Sequence, residues 1–263
     1  MYGAIIGDVV GSPYEFARNL RKDFSPLFHP KSGITDDTIM TVAVADSLLN
    51  EIHPAKSMRQ WSRQVLPTES LGGYGAGFMK WLAAPEIQPP YNSYGNGAAM
   101  RVSPVAWLFD DLPTALEVAK IVTEVSHSHP EGIKGAQAVV LAMNLARQGA
   151  NGEAIRDAVS EMFGYDMDRD VDHCRTHHHY NETCQHCVPE SIICAIEADS
   201  YEDAIRNAIS LGGDADTLAA ITGGIAEILY EIPVELIEGV QPYLKADLIP
   251  VIDQFYERVG GSQ

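Results

Sequence analysis

The sequence predicts an all-α protein, folded as a single compact bundle of about ten or more helices. Apolar residues recur at helical spacing in one segment after another, and neither a period-two run nor a strand–helix–strand alternation interrupts them. Small residues also collect beside the segments that read as central, where helices must approach closely.

The opening, Gly3 to Phe16, reads as a short apolar helix that breaks at Gly11 and Pro13, leaving Glu15 just beyond. A polar loop, Arg18 to Ser32, leads to a helix from Asp36 to about Asn50. Its apolar residues, among them Ile39, Met40, Val42, Val44 and Leu48, surround most of the cylinder and mark it as central. Residues 55 to 66 form an amphipathic helix ended by Pro67, and the glycines from Gly72 to Gly77 make a flexible loop before Phe78 to Leu82. Another loop, Pro85 to Tyr94, enters Ser93-Tyr94-Gly95-Asn96-Gly97-Ala98-Ala99-Met100-Arg101. There small residues allow close backbone approach, and free N–H groups at a helix start can hold phosphate, although tight helix packing accounts for the same stretch.

Helices at about 113 to 125 and 131 to 147 flank Ser126-His127-Ser128-His129-Pro130, a turn between core helices that permits a ligand contact. Residues 151 to 163 make another helix. Gly164 to Cys187 reads as an irregular loop with five histidines, His173, His177, His178, His179 and His186. Cys174, Cys184 and Cys187 accompany them, but one C-x-x-C without a second pair matches no standard zinc pattern, so a polar surface loop is the better account. Val188 to Ala198 and the face formed by Tyr201, Ala204, Ile205, Ala208 and Ile209 deliver the chain to Gly212. A core helix from Leu218 to Tyr230 and a last one carrying Leu244, Leu248, Ile252, Phe255 and Val259 complete the bundle.

Composition narrows the function. The 263 residues are enough for a sizeable core, and nothing reads as a linker, so residues 1–263 are expected to form one domain. A formal charge of −18 disfavours non-specific binding to nucleic acid or to anionic membranes. No run of about 18 apolar residues is present to span a membrane. The apolar start contains Asp8 and lacks a basic flank, so it fails as a secretory signal. Four cysteines crowded into one region do not resemble a disulfide framework, and a cytoplasmic location is expected.

Two acidic stretches organise the chain, Gly33-Ile34-Thr35-Asp36-Asp37-Thr38 and Gly212-Gly213-Asp214-Ala215-Asp216-Thr217. Each places oxygen ligands where a loop enters an apolar helix. Four carboxylates brought together resist burial unless a cation neutralises them, and an all-oxygen set suits a hard divalent ion, Mg²⁺ first, then Mn²⁺ or Ca²⁺. Ordinary N-capping is the competing account. Adjacent helical positions point about 100° apart, however, so Asp36 and Asp37 do not both cap. The Gly212-Gly213 pair lets Asp214 and Asp216 turn toward one point. A paired metal site joining the two stretches is the expectation.

With six motifs in order, the chain resembles the ADP-ribosylglycohydrolase family along nearly its whole length. They are Gly7-Asp8 with Pro13-Tyr14-Glu15-Phe16; Thr35 to Thr38; Gly95 to Arg101; Ser126-His127 with His129-Pro130-Glu131; Thr183-Cys184-Gln185 with Val188-Pro189-Glu190; and Gly212 to Thr217. The resemblance implies an all-α fold with a binuclear Mg²⁺ or Mn²⁺ centre in a cleft. Thr35, Asp36, Asp37, Asp214, Asp216 and Thr217 would be its ligands, with Glu15 where relatives place a carboxylate at the metal site. It also implies an ADP-ribose pocket lined by Ser93, Tyr94, Gly95, Asn96, Gly97, Met100 and His127. The family position of Cys184 explains that residue without zinc, and His186 and Cys187 depart from the smaller residues usual there. The reaction implied is hydrolysis of the bond between C1″ of ADP-ribose and an acceptor, a protein side chain such as arginine or another conjugate. Glu15, Asp37 and Asp214 are the candidate catalytic carboxylates, and the Gly95 to Gly97 backbone is expected to hold the diphosphate. A diphosphate-processing Mg²⁺ enzyme, a structural crystallin-like protein and a non-catalytic ADP-ribose-binding module are the alternatives.

Overall fold

A computed structural model describes residues 1–17, 19–65 and 73–260. The described residues form fourteen α-helices joined by short loops and three 3₁₀ turns. They contain no β-strand, only an isolated antiparallel bridge between Gly95 and Thr183. No helix among them is long and apolar enough to cross a membrane.

Two helices form the centre. Helix α1 (Tyr2–Gly11) is buried at every position from Gly3 to Gly11, and α12 (Ala215–Leu229) from Ala215 to Ala226. They lie backbone to backbone because Gly3, Gly7 and Gly11 form one stripe of α1. A Cβ on Gly7 would run into the carbonyl oxygen of Ala219, and one on Gly11 would meet Asp216. This contact sets Asp8 beside the start of α12. Overpacking costs about 1–3 kcal/mol, and here the obstacle is backbone that does not rotate away. Gly7→Ala is therefore expected to destabilise the fold by an amount at the upper end of that range, read as a lower urea midpoint of unfolding; an unchanged midpoint would contradict this packing.

Helix α2 (Asp36–Leu49) packs against α1 and α12, and α3 (Pro54–Val65) covers it. The expected helix stop at Pro67, together with Gly72 and Arg18, lies outside the described residues. Next come α4 (Ala76–Ala83), a 3₁₀ turn at Asn96–Ala98, α5 (Ser103–Leu108), α6 (Leu112–Glu124), α7 (Pro130–Arg147) and α8 (Gly152–Phe163). Asp111 and Asn151 cap α6 and α8 with side-chain oxygens, as short polar residues do at helix starts.

The histidine-rich stretch is more regular than its composition suggests. Residues Val171–His177 form α9, capped by Asp170, whose carboxylate accepts from His173 N at 2.6 Å. Helix α10 (Cys184–Ile196) begins four residues before Val188, with Pro189 inside it. Cys174 and His178 are buried, so the expected surface loop is only partly one. Thiols and histidines here bond to the protein itself: Cys184 Sγ donates to Gly95 O at 3.2 Å, Cys187 Sγ to Asn181 O at 3.0 Å, and the His178 ring pairs with Glu190.

The chain then runs through α11 (Tyr201–Ile209) into α12 and ends in α13 (Val234–Val240) and α14 (Ile249–Arg258). The last helix starts later than expected, leaving Leu244 in the connection. Pro250 explains the start: it lacks an N–H and fits the first turn of a helix, not its middle.

Candidate active site

Both acidic stretches meet at the floor of a cleft of about 520 Å³, a volume suited to a small-molecule ligand. Thr35 caps α2, its hydroxyl accepting from Asp37 N at 3.3 Å, so neither aspartate caps that helix. Asp214 stands at the N-cap of α12 without a capping bond; its carboxylate accepts instead from Asn96 Nδ2 at 2.6 Å. Gly212 and Gly213, with φ of 76° and 71°, supply two consecutive left-handed residues that only glycine adopts freely, and these aim Asp214 and Asp216 inward. Capping thus fails to account for the aspartates at either helix.

A fifth aspartate, absent from the expected ligand set, joins them. Asp8 is fully buried and accepts from Thr35 N at 3.0 Å, Thr35 Oγ1 at 2.7 Å and Thr38 N at 3.1 Å, which ties the first turn of α2 to α1. Ligand oxygens of Asp8, Asp37 and Asp216 lie within 4.8 Å of one another, and so do those of Glu15, Asp214 and Asp216. Asp216 belongs to both groups. The Thr217 hydroxyl donates to Asp37 Oδ2 at 3.1 Å, leaving Asp37 Oδ1 buried with no partner.

The electrostatics follow from this crowding. Burial first, then neighbouring carboxylates, holds Asp36, Asp37 and Asp216 well above the usual carboxylate range. Burial also raises Asp8 and Asp214. Glu15 is half-buried and pushed up to about 7 by burial, with Asp214, Glu182 and Asp8 adding to the effect. Among the described residues no lysine, arginine or histidine forms an ion pair with any of these six acids. Buried carboxylates without a counter-charge, one with an orphaned oxygen, fit a hard divalent cation.

The expected pocket residues divide. Gly95, Asn96, Gly97, Met100, Ser93 and His127 line the cleft. Tyr94 does not: it is 47% exposed and its ring meets His129 edge-on at 5.2 Å. Thr35 is likewise absent from the cleft wall, and its hydroxyl is spent on Asp8. Asn96 serves Asp214 through its side chain. The free backbone donors expected in the glycine loop are mostly used inside the protein. Gly95 N donates to Ser93 Oγ, Asn96 N to Glu182 O and Ala98 N to Gly95 O, leaving Gly97 N–H without a partner among the described residues. Tyr74, Phe78, Tyr91 and Arg101 also line the cleft, in addition to the residues expected there. The aromatics come from the glycine-rich loop, α4 and the loop after it, where no spacing distinguishes a pocket wall from core.

Comparison with known proteins bears on the family and the fold. The chain is 26% identical to ADP-ribosylhydrolase ARH3 of Danio rerio, over 88% of this chain and 82% of that protein. It is 27% identical to an uncharacterized protein of Archaeoglobus fulgidus, over 91% and 89% of the two chains. A solved structure titled ADP-ribosylglycohydrolase-related protein complex superposes with a TM-score of 0.70 at 21% identity, covering 98% of this chain and 97% of that one, and so shares the fold. The family model described as ADP-ribosylglycohydrolase matches residues 1–263. Its match along the whole length, over a helical fold of the same kind, establishes that the chain belongs to the ADP-ribosylglycohydrolase family.

Proposed function

We propose that this protein is a Mg²⁺-dependent hydrolase that cleaves the glycosidic bond between ADP-ribose and an acceptor, and so reverses ADP-ribosylation. The acceptor would be a protein side chain such as arginine, or a related ADP-ribose conjugate. The observation that carries the reading is the convergence of Asp216 with two overlapping carboxylate groups at the floor of one cleft. Asp8, Asp37 and Asp216 would hold one ion and Glu15, Asp214 and Asp216 a second, with Asp36, Thr35 and Thr217 completing or steadying the set. Two bound Mg²⁺ ions, or Mn²⁺ in their place, would supply Lewis acidity toward the distal ribose and water.

The chain's own groups account for the rest. Glu15, half-buried at the cleft wall beside Asp214 and Asp216, is the carboxylate placed to accept a proton from an attacking water. Asp37 and Asp214 oppose the positive charge that grows at C1″ as the bond to the acceptor breaks. Asn96 keeps Asp214 in place. Gly97 N–H and the His127 ring offer donors to oxygens of the nucleotide half, and Phe78 and Tyr91 offer apolar faces to a planar base. Four free, buried cysteines suit a reducing compartment and support a cytoplasmic assignment.

The test is release of ADP-ribose, with Mg²⁺ and with EDTA, from arginine-linked, serine-linked and nucleic-acid-linked substrates. Metal-dependent release from one of them is the expected result, and it identifies the acceptor. Binding of ADP-ribose without turnover of any linkage would favour a non-catalytic reader.

A further inference from the structure

Arg101 is 1% exposed, yet it forms no ion pair with a carboxylate among the described residues. It is also the only lysine or arginine among those residues to line a cleft otherwise rich in acids. Its Nη2 donates to Ser126 Oγ at 2.9 Å and to Thr123 O at 3.3 Å, and lies 3.5 Å from His127 Nδ1. Ser126 Oγ is itself 2.9 Å from that same Nδ1.

The chemistry of the guanidinium decides the proton positions. An arginine has donors only, so Ser126 Oγ accepts from it and its own hydrogen is free to go to Nδ1. With a guanidinium and a hydroxyl both facing it, Nδ1 carries the lone pair. The ring proton therefore sits on Nε2, the nitrogen on the far side. A Cβ added to Gly97 would lie 3.3 Å from Nε2 and one on Gly95 3.6 Å away, so this N–H faces the glycine loop of the cleft. It makes no hydrogen bond within the described protein. Burial first, and the Arg101 charge second, hold His127 well below the usual histidine range, which keeps the ring neutral.

We propose that Arg101 is a positioning residue: it fixes His127 as the Nε2–H tautomer and thereby aims a hydrogen-bond donor at a diphosphate oxygen of the ligand in the cleft. The ligand half of this assignment rests on the ADP-ribose reading. It also explains how the glycine loop serves an anion when most of its backbone donors are already in use, and why a buried cation is kept in a strongly acidic protein.

The tautomer is read in ligand-free protein, labelled with ¹⁵N-histidine, by long-range ¹H–¹⁵N NMR, the His127 ring being assigned by its absence in His127→Gln. The expected spectrum has a protonated Nε2 and a bare Nδ1; a protonated Nδ1 overturns the proposal without any further variant. Ser126→Ala is expected to keep the tautomer, because Arg101 still faces Nδ1, and a switch in that variant would make the serine the controlling group and overturn it as well. Arg101→Met is expected to lose the fixed tautomer and to bind ADP-ribose about tenfold to a hundredfold more weakly with Mg²⁺ present, the range for one strong hydrogen bond. Adenosine, which lacks the diphosphate, should bind that variant as it binds the wild type, and equal losses for both ligands would count against the assignment. If wild-type protein binds no ADP-ribose, the functional reading fails, whereas the tautomer result stands separately.

Discussion

Asp216→Ala is expected to abolish metal-dependent turnover while leaving the protein folded, and in EDTA to raise its melting temperature. Asp216 is 2% exposed and supplies an oxygen to both carboxylate groups, so its loss would disable both proposed ion sites together. A fall in kcat of about a thousandfold or more is the expected scale, since metal ions contribute several kcal/mol to reactions of this kind. The gain in metal-free stability has the same origin. A buried carboxylate beside Asp37 and Asp214 is costly without a cation, and alanine at the start of α12 is a good helix former. Asp36→Ala should behave alike in turnover. Normal kcat in either variant with excess Mg²⁺ would show that the aspartates hold no essential ion.

In the metal-free protein, stability should fall as pH rises from about 4 toward 7, and added Mg²⁺ should reverse the fall. The sign follows from the directions of the shifts. Asp36, Asp37, Asp216, Asp8, Asp214 and Glu15 all stand above their ordinary values, so the folded state binds more protons than the unfolded one across this window. Their protonated forms favour folding at low pH, and that advantage is lost as each deprotonates, Glu15 at about 7. A cation that binds only the folded, ionised cluster restores stability by mass action. Melting temperatures in EDTA and in Mg²⁺ should therefore diverge with rising pH. A constant difference from pH 5 to pH 8 would separate the acids from the metal.

The sequence made the fold class and the two acidic stretches legible because both are local. Helical periodicity is written into segments such as Asp36 to Leu49, and a glycine pair before two aspartates carries its own backbone geometry. Helix α9 was not legible, since seven residues, five of them polar, hold too few turns to show a period; Asp170 three residues before His173 was the available capping signal. Asp8 needed a tertiary fact, the close approach of α1 to α12, before it became a neighbour of Asp37 and Asp216. Likewise Tyr94, Asn96 and Arg101 share one short stretch, yet the fold turns Asn96 toward Asp214, Tyr94 outward and Arg101 behind His127. Spacing fixes where a residue lies in the chain, but the direction of its side chain is settled by packing.

The most direct test of the proposed two-ion centre is a titration of metal-free protein with Mn²⁺, followed by the electron paramagnetic resonance signal of free aqueous Mn²⁺. The account predicts that the first two equivalents per chain are taken up with no growth of the free signal, and that Asp216→Ala lets the signal grow from the first addition. Growth from the first addition in the wild-type protein would contradict it.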